Sequence, residues 1–98
     1  MAPPENETRL DEAALARLLA AGAWRRDGNT ITRTFTLKGF KGAMSFANRV
    51  AEAANEANHH PDIHIEKYRT VRVVLTTHVT SSISDADVDL ARRIDELA

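Results

Sequence analysis

At 98 residues, 43% of them hydrophobic, the chain has room for one domain built around one modest core. It contains no cysteine, which excludes disulfides, thiolate nucleophiles, iron–sulfur clusters and Cys-based zinc sites. Thirteen basic against fourteen acidic residues leave a net charge of −1, without the positive field of a phosphate-backbone binder, so nucleic acid is not an expected partner.

Met1 to Thr8 is proline-containing and polar, with neither the basic segment nor the apolar stretch of a signal peptide. It is expected to be a flexible lead, residues 1–8, ahead of a single domain over 9–98. No apolar run approaches the roughly 20 residues needed to cross a bilayer, which predicts a cytoplasmic protein with no membrane partner. Thr8 and Asp11 form a cap pair for a first helix in which Leu10, Ala14, Leu15, Leu18 and Leu19 recur at helical spacing, with Gly22 as its stop. Trp24 to Leu37 then alternates around Asp27-Gly28-Asn29, with Ile31, Phe35 and Leu37 on one side and Thr30, Thr32, Thr34 and Thr36 on the other, the pattern of a β-hairpin. Arg33 interrupts the apolar side and is expected to snorkel at a sheet edge. Trp24 and the three phenylalanines read as core.

From Gly42 to Ala57, Ala43, Phe46, Ala47, Val50, Ala54 and Ala57 form one stripe of a long central helix. Pro61 is expected to end it, since the residue before a proline is driven out of the helical region, and the tandem His59-His60 then sits at a helix-to-loop corner. A second hairpin follows, with Ile63 and Ile65 in a short strand, Lys67-Tyr68-Arg69 at the turn, and Val71 to Thr77 in a strongly β-forming strand. Parity sets Arg72, Val74, Thr76 and His78 opposite Val71, Val73 and Leu75. Ser84 and Asp87 cap a last helix whose Val88, Ala91, Ile94 and Leu97 face inward. The order α-β-β-α-β-β-α predicts a two-layer α+β domain with helices packed on an antiparallel sheet.

Three of the four histidines fall in His59-His60-Pro61-Asp62-Ile63-His64, and the fourth, His78, follows Thr76-Thr77 at the end of the next strand. Histidine donates or accepts a proton near neutral pH, and an elimination of water needs an acid on the leaving hydroxyl and a base on the substrate. Asn55 precedes His59 by four residues and Glu56 precedes His60 by four, the spacing at which helical side chains meet, so these two are the expected orienting partners. The same corner also reads as a plain helix terminus whose dipole favours imidazolium. His64 reads as a solvated surface residue. No His-Glu-x-x-His is present and Pro61 breaks any helical face shared by His60 and His64, so neither metal nor cofactor is expected. Ser81, Ser82 and Ser84 belong to no nucleophile elbow, and no glycine-rich phosphate loop occurs.

The combination of Trp24, Thr32-Arg33-Thr34-Phe35, Arg49-Val50-Ala51, His59-His60-Pro61, Val71-x-Val73-x-Leu75-Thr76-Thr77-His78 and Asp87-x-Asp89-Leu90-Ala91 resembles the pterin-4a-carbinolamine dehydratase family (4a-hydroxytetrahydrobiopterin dehydratase) over nearly the whole chain beyond the lead. The resemblance implies a hydro-lyase of tetrahydrobiopterin recycling that dehydrates 4a-hydroxytetrahydropterin to quinonoid dihydropterin. It implies a homodimer or homotetramer, with His59, His60 and His78 catalytic and a pterin bound by Asn58, His59, His60, Thr76, Thr77, His78 and Val79. A non-enzymatic oligomeric pterin-binding or dimerization module is the alternative. The chain departs from the family pattern at Asn55, commonly glutamate there, at Asn58 and Val79, acidic in relatives, and at Ser81-Ser82, which replaces a Gly-rich turn.

Overall fold

The computed structural model describes residues 4–98; Met1–Pro3 of the expected lead lie outside the described residues. Glu5–Glu7 form a single 3-10 turn against the last helix. The first helix, α1, spans Glu12–Ala20 and begins later than its leucine spacing suggests. Its cap is Asp11 alone, whose carboxylate accepts from Ala13 N–H at 3.0 Å and Ala14 N–H at 3.2 Å. Thr8 instead turns its hydroxyl onto the Glu5 carbonyl, and Leu10 packs against the core from outside the helix.

Strands β1 (Arg25–Asp27) and β2 (Thr30–Thr36) form the first hairpin, closed at Asp27↔Thr30 with Gly28 at φ +59°, a conformation that glycine adopts without cost. Helix α2 (Phe40–Ala57) leads to β3 (Asp62–Glu66), β4 (Thr70–Leu75) and the closing helix α3 (Asp85–Asp95). The four strands form one antiparallel sheet in the order β1-β2-β4-β3. Three helices cover one face of it, the two-layer α+β arrangement expected from the element order.

Register explains the core. Pairing Ile31 with Leu75 and Phe35 with Val71 aligns the inward residues of β2 and β4 in one apolar plane, with Ile63 beside Val73. Phe46, Val50, Val88 and Ile94 descend onto that plane, and the Phe35 and Phe46 rings meet at 4.7 Å between centroids. Each such side chain contributes about 1.5–3 kcal/mol on full burial. One expectation fails here: Phe40 is 58% exposed at the first position of α2, so one phenylalanine lies outside the core. Arg33 lies where β2 has run past the end of β1, which pairs only with Thr30, Ile31 and Thr32, so β2 is bonded there to β4 alone. The Arg33 side chain reaches along the covered face, its guanidinium 4.3 Å from the Phe35 ring centre and bonded to Asp95 at 2.6 Å, where Trp24 Nε1 also donates at 2.8 Å. Among the described residues, no helix is long and apolar enough to cross a membrane.

Candidate active site

The histidine corner begins where α2 stops, and Asn58 rather than Pro61 stops it. Asn58 takes the left-handed conformation (φ 52°, ψ 41°), and His59 N–H then closes back on the Ala54 carbonyl at 3.1 Å. Asparagine tolerates this geometry because its short polar side chain bonds locally. Both histidines therefore lie beyond the helix, and the four-residue spacing no longer pairs them with the last turn. Asn55 Oδ1 meets His60 Nε2 at 3.2 Å, not His59, and Glu56 forms an ion pair with Arg93 of α3, not with His60.

His59 and His60 enter different surroundings. His60 is exposed, and His59 is 6% exposed. His59 Nε2 lies 2.6 Å from Asp87 Oδ1, and Nδ1 lies 3.5 Å from Glu7 Oε1. The hydrogen bond to Asp87 raises the pKa of His59 above the ordinary histidine value, against the opposing effect of burial, and the charges of Asp87 and Glu7 add to the rise. Asp87 is fully buried at the third position of α3. Its second oxygen accepts from Thr77 Oγ1 at 2.8 Å and from Ser84 N–H at 2.9 Å, and the Thr77 and Ser84 hydroxyls meet at 2.6 Å. Among the described residues, every buried side-chain nitrogen and oxygen has a hydrogen-bond partner.

Thr77 is buried because the parity of β4 continues two residues past the strand: Val71, Val73, Leu75 and Thr77 share the inward face. Its backbone bridges to Ser82, closing the turn His78-Val79-Thr80-Ser81, in which Ser81 takes a positive φ of 53°. His78 is exposed at the start of that turn, and Val79 is 60% exposed. Thr76 points the other way and donates to the Asn29 carbonyl at 2.7 Å. Asn58 is exposed. His64 is exposed on β3.

The structure thus joins His59 and Thr77 through one carboxylate. It leaves His60 and His78, each the next residue along the chain, at the surface. A cavity of about 130 Å3 beside His59 is lined by Asn6, Ala57, Ala86, Asp89, Leu90 and Arg93. Among the described residues, no group of three or more His, Cys, Asp or Glu side chains is arranged to hold a metal. Sequence reading missed Asp87 and Glu7 as partners of the site. Asp87 sits three residues after Ser84, so its role as a cap accounted for it locally, and nothing in that spacing points 28 residues back to His59.

Comparison with known proteins gives this constellation a context. A family model described as pterin 4 alpha carbinolamine dehydratase matches residues 8–97. A protein of Thermomicrobium roseum named "Putative pterin-4-alpha-carbinolamine dehydratase" is 50% identical over 91 residues, covering 92% of this chain and 97% of its own. One of Nocardia farcinica with the same name is 46% identical over 88 residues, covering 90% and 92%. Among solved structures, a transcriptional coactivator/pterin dehydratase of Brucella melitensis superposes with a TM-score of 0.80 at 31% identity, covering 92% of this chain and 98% of that one. A pterin dehydratase-like protein identified as a RuBisCO assembly factor in the alpha-carboxysome shares the fold, with a TM-score of 0.65 at 23% identity over 78% and 89% of the two chains. With nearly its full length matched by the family model and half of its aligned residues shared with one relative, the chain belongs to the pterin-4a-carbinolamine dehydratase family.

Proposed function

We propose that the protein dehydrates a 4a-hydroxytetrahydropterin to the quinonoid dihydropterin, as the name of its family describes, in tetrahydrobiopterin recycling. In this reaction a base removes the proton from the ring nitrogen next to the hydroxylated carbon. The C=N bond forms as the C–O bond breaks, and the hydroxyl leaves as water with a proton from an acid. His60 and His78 supply the acid and the base. His59 orients the pterin as a cation, backbone groups of Thr76 and Thr77 hold the heterocycle, and Asn58 and Val79 lie at its rim.

The observation that supports this reading is the double attachment to Asp87. One oxygen holds His59, the residue before His60, and the other holds Thr77, the residue before His78. Two proton-transfer groups thereby hang from backbone segments tied to a single buried carboxylate, which limits the motion of one relative to the other. His60 and His78 are solvent-exposed, as groups that exchange protons with a substrate and then with water must be. The test is direct: EDTA-treated protein is mixed with freshly generated 4a-carbinolamine and formation of quinonoid dihydropterin is followed by absorbance. Turnover equal to that of untreated protein, abolished in the double variant His60→Ala/His78→Ala, is the expected result. Absence of turnover above the spontaneous rate sinks the enzymatic reading in favour of a pterin-binding or dimerization module.

The chain is proposed to act as a homodimer or homotetramer. Phe40 and Met44, four residues apart on α2, are 58% and 39% exposed, an apolar pair without cover on a small domain. Light scattering at micromolar concentration should give a mass of at least two chains, and a monomer mass would refute the assembly.

A further inference from the structure

The two glutamates of the N-terminal turn before α1 behave oppositely. The Glu5 side chain is 76% exposed and pairs with Arg9, whereas the Glu7 side chain is 14% exposed and faces His59. The turn is fastened to the start of α3 by a reciprocal pair of bonds: Asp11 N–H donates to Asp85 Oδ1 at 2.7 Å, and Asp85 N–H donates to the Arg9 carbonyl at 2.8 Å. These bonds hold the segment across the end of the helix that carries Asp87. Glu7 lies one residue before the stretch that the family model matches.

A neutral imidazole has one N–H to offer, whereas here a carboxylate stands at each ring nitrogen, Asp87 at 2.6 Å and Glu7 at 3.5 Å. Only the doubly protonated ring donates to both. We propose that the N-terminal turn is a working part of the catalytic site, in which Glu7 is a positioning residue that, with Asp87, holds His59 as a fixed imidazolium. His59 then moves no proton in turnover. Its charge, one residue from His60, stabilises the negative charge that develops on the departing hydroxyl. The other charged groups facing this space are Asp89 and Arg93 of α3, which line the cavity beside His59. Glu56 from the last turn of α2 pairs with that same Arg93. The catalytic half of this inference rests on the dehydratase reading; the electrostatic half does not.

The experiment is an NMR titration of the His59 ring in the full chain, run beside the pH dependence of carbinolamine dehydration. In Glu7→Gln, His59 should lose its proton at lower pH than in the wild type. Turnover should match the wild type where both proteins hold His59 charged, and fall below it at pH values where only the variant's ring is neutral. Asp85→Ala, which removes the acceptor for Asp11 N–H, should reproduce that behaviour, Asp85→Asn should restore it, and Glu5→Gln should change nothing. An unchanged His59 titration in Glu7→Gln overturns the proposal, as does a loss of turnover that is uniform at every pH. If the wild type itself fails to dehydrate the pterin, the functional reading fails, and the titration still decides whether Glu7 holds the charge.

Discussion

His59 and His60 are neighbours in the chain and opposites in the structure. The first is buried with a carboxylate at each ring nitrogen; the second is exposed, its Nε2 3.2 Å from the Asn55 amide oxygen. Thr77 and His78 repeat the contrast, a buried hydroxyl on Asp87 followed by an exposed imidazole. Beyond a helix end or a strand end the backbone is extended enough that successive side chains point to opposite sides. An anchored residue therefore delivers its neighbour to the surface at a defined place. The site is built from two such anchor-and-presenter pairs, and identical residue types at positions 59 and 60 serve different ends.

The sharpest way to break this comparison is to remove the common anchor. Asp87→Ala leaves a buried imidazolium without its main counter-charge, and the Thr77 hydroxyl and the Ser84 amide without their acceptor. Losing one partner of a buried pair costs about 3–5 kcal/mol. Urea denaturation should show a loss of that size, and a loss below about 1 kcal/mol would mean that Asp87 is not the anchor described.

Next in size is the contrast between the presenters and the anchors. His60→Ala removes an exposed side chain and should alter stability by no more than about 0.5 kcal/mol. It should nevertheless slow dehydration by a factor of about 10²–10⁴, the usual contribution of a positioned acid or base. His59→Ala should behave the other way in the unfolding experiment, because it strands the Asp87 carboxylate in the interior. Equal stability losses in the two variants would erase the distinction between the histidines.

The protonation of His59 also ties the fold to pH. Its pKa is raised in the folded state, chiefly by the hydrogen bond to Asp87, relative to about 6.5 in an unfolded chain. The folded state therefore binds more protons in the interval between the two values, and stability falls with rising pH there. The contribution is complete below about pH 6.5 and is lost as pH climbs through the folded value. The urea midpoint of the wild type should decline across this window. Asp87→Asn should flatten the decline, and a midpoint that rises with pH in the wild type would contradict an imidazolium at this position.

The scaffold around these pairs was largely legible from residue order. Alternation in Thr30–Thr36 and Thr70–Leu75, the Gly28 turn and the 3.6-residue stripe of α2 are local signals, and they gave the element order and the inward face. The stripe was misjudged only at its end: Ala57 is exposed, and Ala53, one turn earlier, is buried instead. The site was legible as a set of histidines but not as a set of contacts. Helical spacing carries α2 on to Pro61, whereas a single left-handed residue, Asn58, releases the chain three positions earlier and reassigns both expected partners. Asp87 and Glu7 reach His59 only through tertiary packing of α3 and the N-terminal turn, and no local periodicity encodes such a meeting.

The smallest expected effect concerns that reassigned partner. At Asn55 the family pattern commonly has glutamate, and helical spacing set the residue over His59; the structure sets it beside His60. Asn55→Glu puts a carboxylate on an exposed face of the last turn of α2, where glutamate is as good a helix former as asparagine or better, so stability should change by no more than about 0.5 kcal/mol. A negative charge within reach of His60 favours its imidazolium form. The limb of the pH–rate profile that reports His60 should therefore move to higher pH, by a modest amount because water screens exposed charges. His59 should titrate as in the wild type, since both of its nitrogens are already occupied by Asp87 and Glu7. Resolved ring resonances of the two histidines separate the possibilities. A shift confined to His60 supports the observed pairing, whereas a shift confined to His59 would mean that α2 extends further in solution than Asn58 allows, and the division between anchor and presenter would fall with it.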